Sequence, residues 1–415
     1  MNKSIKLTII SNWYPPDRRV SARRWGNLVS SLCNMGVDCT VISAGDGNYD
    51  EYIGDYGERV IRLPIANRAT QNSQGKNKKN FPFKRSLKAM FSLIIPPLLL
   101  DFTVKRWILQ PSLRAMLTKI AHESDCIVSS YGPLGPFLLG WWLARKTRKP
   151  WIADIRDSFE SRDGKTSRPA KSLSRSLEAR LLRKATMRIT IGKVLANHLM
   201  TTYDIKFAAI YNGWTDTDII SRRNENKFVE PYLYYAGSIY EHRISALAIV
   251  LEAIHLKATQ DNKKIKLKVR LLNDHTYGSL TKLINSEPYH EIIEFLPPVD
   301  PKTVNEELAN SVGALVLEAI DDNDILRKGT ITGKLIGLLA SGMPGVAISS
   351  KTGEIRELVN KVPGWYGVDD VEGCREALDK LLNHRSIDFN IEALMEFNVS
   401  RQAELFLQLV RKAIQ

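Results

Sequence analysis

Cysteine is scarce in this chain. Cys33, Cys39, Cys126 and Cys374 are scattered through 415 residues, at none of the close spacings that a metal site or a disulfide framework needs. They are expected to be free thiols, buried, in a reducing cytoplasm. Long apolar runs are missing too. The stretch "MNKSIKLTIISNWYPP" goes straight into a strand pattern, without the apolar core and cleavage site of a signal peptide. The most apolar run, "MFSLIIPPLLLDF", is short and broken by Pro96 and Pro97, which argues against a bilayer span. No G-x-G-x-x-G follows either candidate first strand, and no Walker A lysine motif is present, so NAD, FAD and P-loop nucleotide binding are not expected. Zinc-finger, RNA-binding and helix-turn-helix signatures are absent, which argues against nucleic acid as the partner. "DTD" at 216–218 reads as a helix cap rather than a metal motif. No metal and no cofactor are therefore expected.

Negative charge is in deficit: 59 basic residues face 45 acids, for a net charge of +14. Such a chain is drawn to something anionic. Between 76 and 116 nine basic residues stand against one acid, Asp101, interleaved with the broken apolar run. Basic plus strongly apolar is the composition of an interfacial contact with an anionic membrane. The alternative is a buried helical hairpin with a solvated charged rim.

What the chain has is alternation. Short strand patterns ("IKLTIIS", "VDCTVIS", "RVIRLP", "DCIVSS", "PWIADIR", "MRITIG", "FAAIYNG") alternate with helical ones. One helix carries Ala22, Trp25, Leu28, Val29 and Leu32 on a face; another places Leu173, Leu177 and Leu181 four apart. After a polar stretch from about 219 to 231 the pattern restarts: "YLYYAGS", a helix with Ile244, Leu247, Leu251 and Ile254, then "IKLKVRLLN", "IIEFLPP", "GALVLEA" and "PGVAISS". This predicts α/β architecture with two doubly wound, Rossmann-like domains, 1–218 and 230–397, facing a cleft. A last helix in 398–415, with Ala403, Phe406, Leu407, Val410 and Ile414 on one face, packs on either domain and is drawn here as returning to the first. Ligands of open parallel sheets bind at the carboxyl ends of strands, so site residues should follow strands.

Two junctions in the second half fit that rule. "YAGSIYEHRISAL" puts Gly237 and Ser238 at a strand end and Arg243 near a helix start. "RKGTITGKLIG" puts Thr330 and Lys334 before another helix. Helix starts favour phosphate, and one cation at each would clamp a diphosphate; the alternative is two solvated surface cations. Asp157, beside Arg156 after "PWIADI", is the first-domain candidate for orienting or activating an acceptor hydroxyl; the alternative is a helix cap or a salt bridge. Arg18 and Arg19 in the first loop would meet an anionic acceptor. Arg23 and Arg24 diverge by ~100° on a helix and cannot share a direction. His275, after another strand, would touch base or sugar, or is a plain turn residue.

The layout resembles the GT-B glycosyltransferases of family 4, retaining enzymes that use nucleotide-sugars. The resemblance spans nearly the full chain and rests on five segments in order: "SNWYPPDRRVSARRWGNLVSSLCNMGVDCTVIS", "PWIADIRDSFES", "IYNGWTDTDI", "YLYYAGSIYEHR" and "GTITGKLIGLLASGMPGVAIS". It departs in two places. The family's glutamates spaced E-x7-E fall at Gly329 and Gly337, which carry no carboxylate, and the usual paired glycines of the first loop are Arg18, Arg19 and Val20. Glu318, or Asp321, Asp322 and Asp324, would have to substitute for the missing acids, or these form a solvated loop.

The resemblance implies transfer of a sugar, with retention, from a UDP- or GDP-sugar to a lipid-linked saccharide in cell-surface polysaccharide synthesis. Arg243, Lys334 and Asp157 would be catalytic; Gly237, Ser238, Glu318, His275 and Thr330 would line the donor; Arg18, Arg19 and Arg156 would face the acceptor. Such a protein would be cytoplasmic, peripheral on the inner membrane. Two alternatives stay open given the missing glutamates: a nucleotide-sugar epimerase, and a non-catalytic protein of the same fold.

Overall fold

The computed structural model describes residues 4–17, 19–45, 49–64, 107, 110–156, 168–220, 230–271, 278–286, 288–323, 329, 331, 333–383 and 389–415. Arg18, Asp157, His275, Thr330 and Asp324 lie outside the described residues, as does most of the basic stretch from 76 to 116. The chain divides into two compact units: 1–191 with 196–211 and 399–415, and 192–195 with 212–398.

The first unit holds β1 (Lys6–Ile10), α1 (Val20–Asn34), β2 (Asp38–Gly45), β3 (Asp50–Ile53), β4 (Arg59–Pro64), α2 (Pro111–Glu123), β5 (Cys126–Ser130), α3 (Leu134–Thr147), β6 (Trp151–Asp154), α4 (Arg168–Leu182), β7 (Met187–Thr190), most of α5 (Lys193–Tyr203) and β8 (Ala208–Ala209). Its sheet runs β3-β4-β2-β1-β5-β6-β7-β8. Only β3 is antiparallel; it is an acidic, largely exposed edge strand that its sequence, "DEYI", does not announce.

β1, β2 and β5 are buried nearly throughout, as strands covered on both faces must be. Trp25, Leu28, Val29 and Leu32 of α1 pack on them, as the helical spacing predicts. The leucine spacing of α4 misleads, because Leu173 is 47% exposed while Ser174 and Glu178 are buried. Buried Glu178 accepts a 2.7 Å hydrogen bond from the Tyr203 hydroxyl. The last helix of the chain packs on α1, with Phe406 edge-on to Trp25 at 6.0 Å. Its Ile414 is exposed, and Gln402 takes a place on the buried face by accepting from the Tyr211 N–H at 2.7 Å.

The second unit holds β9 (Tyr232–Gly237), α6 (Ile244–Gln260), β10 (Lys266–Leu271), α7 (Gly278–Ile284), β11 (Ile293–Leu296), α8 (Pro301–Ala309), β12 (Gly313–Leu317), α9 (Leu335–Ala340), β13 (Gly345–Ile348), α10 (Glu354–Val359), β14 (Trp365–Val368) and α11 (Val371–Asn383). The final helix, α12 (Val399–Ile414), is the one that joins the first unit. The second sheet is wholly parallel, in the order β11-β10-β9-β12-β13-β14. Strand order reverses between β9 and β12, which places the crevice of a doubly wound sheet outside their carboxyl ends. In the first sheet the reversal falls between β1 and β5.

Among the described residues no helix is long and apolar enough to cross a membrane, and no cluster of potential ligands could hold a metal. Cys39, Cys126 and Cys374 are buried; Cys33 is half-buried.

Candidate functional site

The second unit gathers its chemistry at the reversal point. β9 ends at Gly237, and the next turn, Glu241–Arg243, leads into α6. The turn runs directly into α6 without a side-chain cap, and the Ile244 N–H donates back to the Glu241 carbonyl. Glu318 directly follows β12, whose register with β9 sets Gly313 opposite Leu233. Arg243 bridges the two strands. Its Nη2 is 2.7 Å from Glu318 Oε1 and its Nη1 donates to the Ser238 carbonyl at 3.1 Å. Both side chains are largely buried, at 15% and 8% exposure. Among the described residues the buried Nε of Arg243 has no hydrogen-bond partner. Tyr235, which the sequence did not single out, fixes this corner by donating its hydroxyl to the same Ser238 carbonyl at 2.8 Å. Tyr240 stacks on His242 at 5.7 Å, and the Arg243 guanidinium lies 5.1 Å over its ring.

Lys334 completes the corner from the other side. It is the residue before α9, and its Nζ donates to the carbonyl of Ala236. The ammonium lies against the α-carbon of Gly237, where a side chain would collide with it. Burial, and then repulsion from Arg243, pull the Lys334 pKa down from the ordinary lysine value to about 8. Burial acts to lower the Arg243 pKa as well, but Glu318 and Tyr235 outweigh it. Two cations thus converge on one strand end with a single carboxylate between them among the described residues, and one of them has Coulombic reason to seek an anion. α9 has only six residues, so its contribution is the Lys334 side chain rather than a helix terminus. It ends at Gly342, whose φ of +76° is the left-handed conformation that stops a helix.

Gly237→Ala is expected to push Lys334 off Ala236. Gly237 also sits at a φ of +158°, where a side chain is strained whatever the space, so stability should fall by about 1–3 kcal/mol while anion binding weakens tenfold or more. Equilibrium denaturation and calorimetric titration check the two halves.

Of the described acids after β12, Glu318 enters this corner and Asp321 and Asp322 do not. Asp321 caps the Asn323 N–H at 2.9 Å, and Asp322 accepts from the N–H and hydroxyl of Thr352 at 3.1 and 2.8 Å. "DTD" at 216–218 is a short turn whose Thr215 and Asp218 form a reciprocal cap.

In the first unit Arg19 precedes α1, with its guanidinium 3.5 Å over the Trp13 ring and 3.7 Å from Asp17. Arg156, just beyond β6, donates to the Tyr131 carbonyl at 3.0 Å. Both therefore sit at carboxyl ends, flanking the reversal point of the first sheet. Arg23 is exposed and Arg24 buried, as their helical divergence requires. The Arg24 guanidinium reaches Asp154 at 3.2 Å and the Ile210 carbonyl at 2.8 Å.

Residues 21–210 match the sequence profile of the glycosyl transferase 4-like domain. No curated protein matches the chain significantly by sequence. Solved structures do match along the whole chain. Sucrose-phosphate synthase from Thermosynechococcus elongatus is 13% identical, with 99% of each chain covered and a TM-score of 0.64. The HepE protein of Anabaena, solved with UDP and glucose, is 13% identical over 98% of this chain and 100% of its own, with a TM-score of 0.61. The trehalose 6-phosphate synthase of Burkholderia multivorans is 12% identical over 99% and 97%, with a TM-score of 0.60. Residues 21–210 are thus similar to the glycosyl transferase 4-like domain, and over its full length the chain has the fold of the GT-B glycosyltransferases.

Proposed function

We propose that the protein is a retaining glycosyltransferase that moves a sugar from a UDP- or GDP-sugar to a lipid-linked saccharide in cell-surface polysaccharide synthesis. The observation that carries the donor half is the pairing of Lys334 and Arg243 at the end of β9, with a buried guanidinium Nε that has no hydrogen-bond partner among the described residues and a lysine held at a pKa of about 8. A diphosphate supplies the anion this corner lacks. During transfer the bond from the anomeric carbon to the donor's diphosphate breaks, and negative charge grows on the leaving oxygens. Arg243 and Lys334 stabilise that charge, each by a few kcal/mol if they act as other preorganised donors do, without needing a metal. Structures of the same fold hold UDP and glucose, or UDP-glucose, which supports a nucleotide-sugar as donor.

The acceptor half rests on Arg19 and Arg156 at the strand ends of the first unit, on the strongly basic composition, and on the basic and apolar stretch from 76 to 116. An acceptor with its own diphosphate on a lipid suits these cations, and Asp157 is assigned to its hydroxyl. A protein of this composition works on the cytoplasmic face of a membrane.

The test is a thermal-shift screen of the full chain against UDP, GDP, ADP and their sugar conjugates. A ligand at 100 times its Kd stabilises by ~2.7 kcal/mol. A shift with one nucleotide and its sugar conjugate is expected, followed by sugar transfer to a lipid-linked acceptor. Turnover of the donor without acceptor would favour an epimerase instead, and no shift with any nucleotide a non-catalytic protein.

Glu318→Ala separates two roles of that carboxylate. Removing it leaves Arg243 buried without a counter-ion, so the unliganded protein should lose about 3 kcal/mol. A bound diphosphate restores a counter-ion, so the thermal shift on adding nucleotide should be larger in this variant than in the wild type. An unchanged shift would mean that the ligand does not meet Arg243.

A further inference from the structure

Gly337 lies three residues beyond Lys334, so the two positions share a face of α9. That face is half-exposed, whereas Leu335, Ile336, Leu339 and Ala340 are buried. A β-carbon built on Gly337 would lie 3.0 Å from Oδ1 and 3.2 Å from Cγ of Asp218. The place where a side chain of α9 would begin is therefore bordered by a carboxylate from another element, 119 positions earlier in the chain.

The carboxylate is held there firmly. Its Oδ2 accepts from the Thr215 N–H at 2.9 Å and from the Thr215 hydroxyl at 3.2 Å. The chain on one side is anchored by Trp214, buried, whose indole N–H donates to the Leu394 carbonyl at 2.7 Å. On the other side the Ile220 N–H donates to the Ser341 carbonyl at the end of α9 at 3.0 Å. Asp218 is thus clamped to the helix that carries Lys334, with Oδ1 turned to the glycine.

We propose that Asp218 reads the vicinal hydroxyls of the nucleotide ribose, from a position that the glycine at 337 leaves uncrowded. This rests on the reading of the second unit as a nucleoside diphosphate site. A phosphate held at Lys334 directs the attached ribose along the same face of α9. A carboxylate there accepts from both hydroxyls of the diol, and bonds of this charged kind discriminate tenfold or more against a ligand lacking one of them. The glycine has a second consequence: a side chain at 337 crowds Asp218, which must give way by a few tenths of an ångström.

The test compares UDP with 2′-deoxy-UDP, and GDP with 2′-deoxy-GDP, by calorimetric titration of the full chain. The wild type is expected to prefer the ribose form at least tenfold. Asp218→Ala should reduce that preference to about one by weakening the ribose form more than the 2′-deoxy form, which keeps one hydroxyl on the carboxylate, and an unchanged affinity for the 2′,3′-dideoxy nucleotide reports an intact site. Gly337→Ala should narrow the preference in the same sense. Asp218→Asn, which retains an acceptor for Thr215, should do so even where the alanine variant fails to fold. A wild type that does not discriminate overturns the proposal, as does a preference that survives at Asp218→Asn, or equal loss of both forms. If neither nucleotide of either pair binds the wild type, the nucleotide reading itself falls, a result distinct from binding without discrimination.

Discussion

Replacing Lys334 with methionine is expected to weaken binding of a nucleoside diphosphate about a hundredfold or more, since removing one partner of a desolvated charge pair typically costs ~2–5 kcal/mol. The fold should not suffer. A lysine whose folded pKa lies near 8 and whose unfolded pKa lies near 10.5 costs stability in its charged state. That cost is present below pH 8 and disappears as pH rises through 10.5. Methionine keeps the length of the side chain and carries no charge, so at pH 7 the variant should unfold at the same or a higher denaturant concentration than the wild type. A variant that is stable yet blind to nucleotide separates a binding role from a structural one. Denaturation and calorimetric titration on the same preparation make the comparison. A solvated surface lysine would show neither effect.

Asp154→Ala is expected to act the opposite way, on stability rather than on the donor. Arg24 and Asp154 have 1% and 0% side-chain exposure. The second carboxylate oxygen accepts from Ser130 at 2.7 Å. Removing the acid leaves a guanidinium buried among core residues of the first unit. Such a loss typically costs about 3–5 kcal/mol, because the orphaned charge keeps its desolvation penalty. Pairing Asp154→Leu with Arg24→Met should recover most of it. The transition of the first unit can be followed through Trp25 and Trp151, both buried there, while nucleotide affinity of the surviving folded protein stays within a few-fold. If the single variant unfolds no earlier than the wild type, the pair does not hold the first unit together.

These two outcomes mark what local pattern reveals and what it does not. Gly237, Arg243 and Lys334 were legible because each belongs to a strand–loop–helix junction readable within a dozen residues. The period-2 and period-3.6 patterns placed most strands and helices for the same reason. Partners were not legible. Arg243 finds Glu318 75 positions away, and Arg24 finds Asp154 130 positions away. Nothing in the spacing of either arginine names its acid. Asp218 was read only as a cap, and it is one; its approach to Gly337 depends on how Trp214 and Ile220 fasten the turn to α9. The misread leucine of α4 has the same origin. Leucines four apart suggest a buried stripe; Leu181 is buried, but Leu173 is exposed, and Glu178, hydrogen-bonded to the Tyr203 hydroxyl, is buried instead. β14, four residues including a glycine, offered too little pattern to be seen.

The central claim is that Lys334 meets a diphosphate as a cation. Its most direct test is the pH dependence of nucleoside diphosphate affinity in the wild type and in Lys334→Arg, from pH 7 to pH 9.5. With the Lys334 pKa near 8 in the free protein and raised by the bound anion, binding takes up a proton above pH 8. Wild-type affinity should therefore be level to about pH 8 and then fall, approaching tenfold per pH unit, whereas the arginine variant, always charged, should stay level throughout. A wild-type affinity that is flat across the range, or a fall of the same size in Lys334→Arg, would contradict the account.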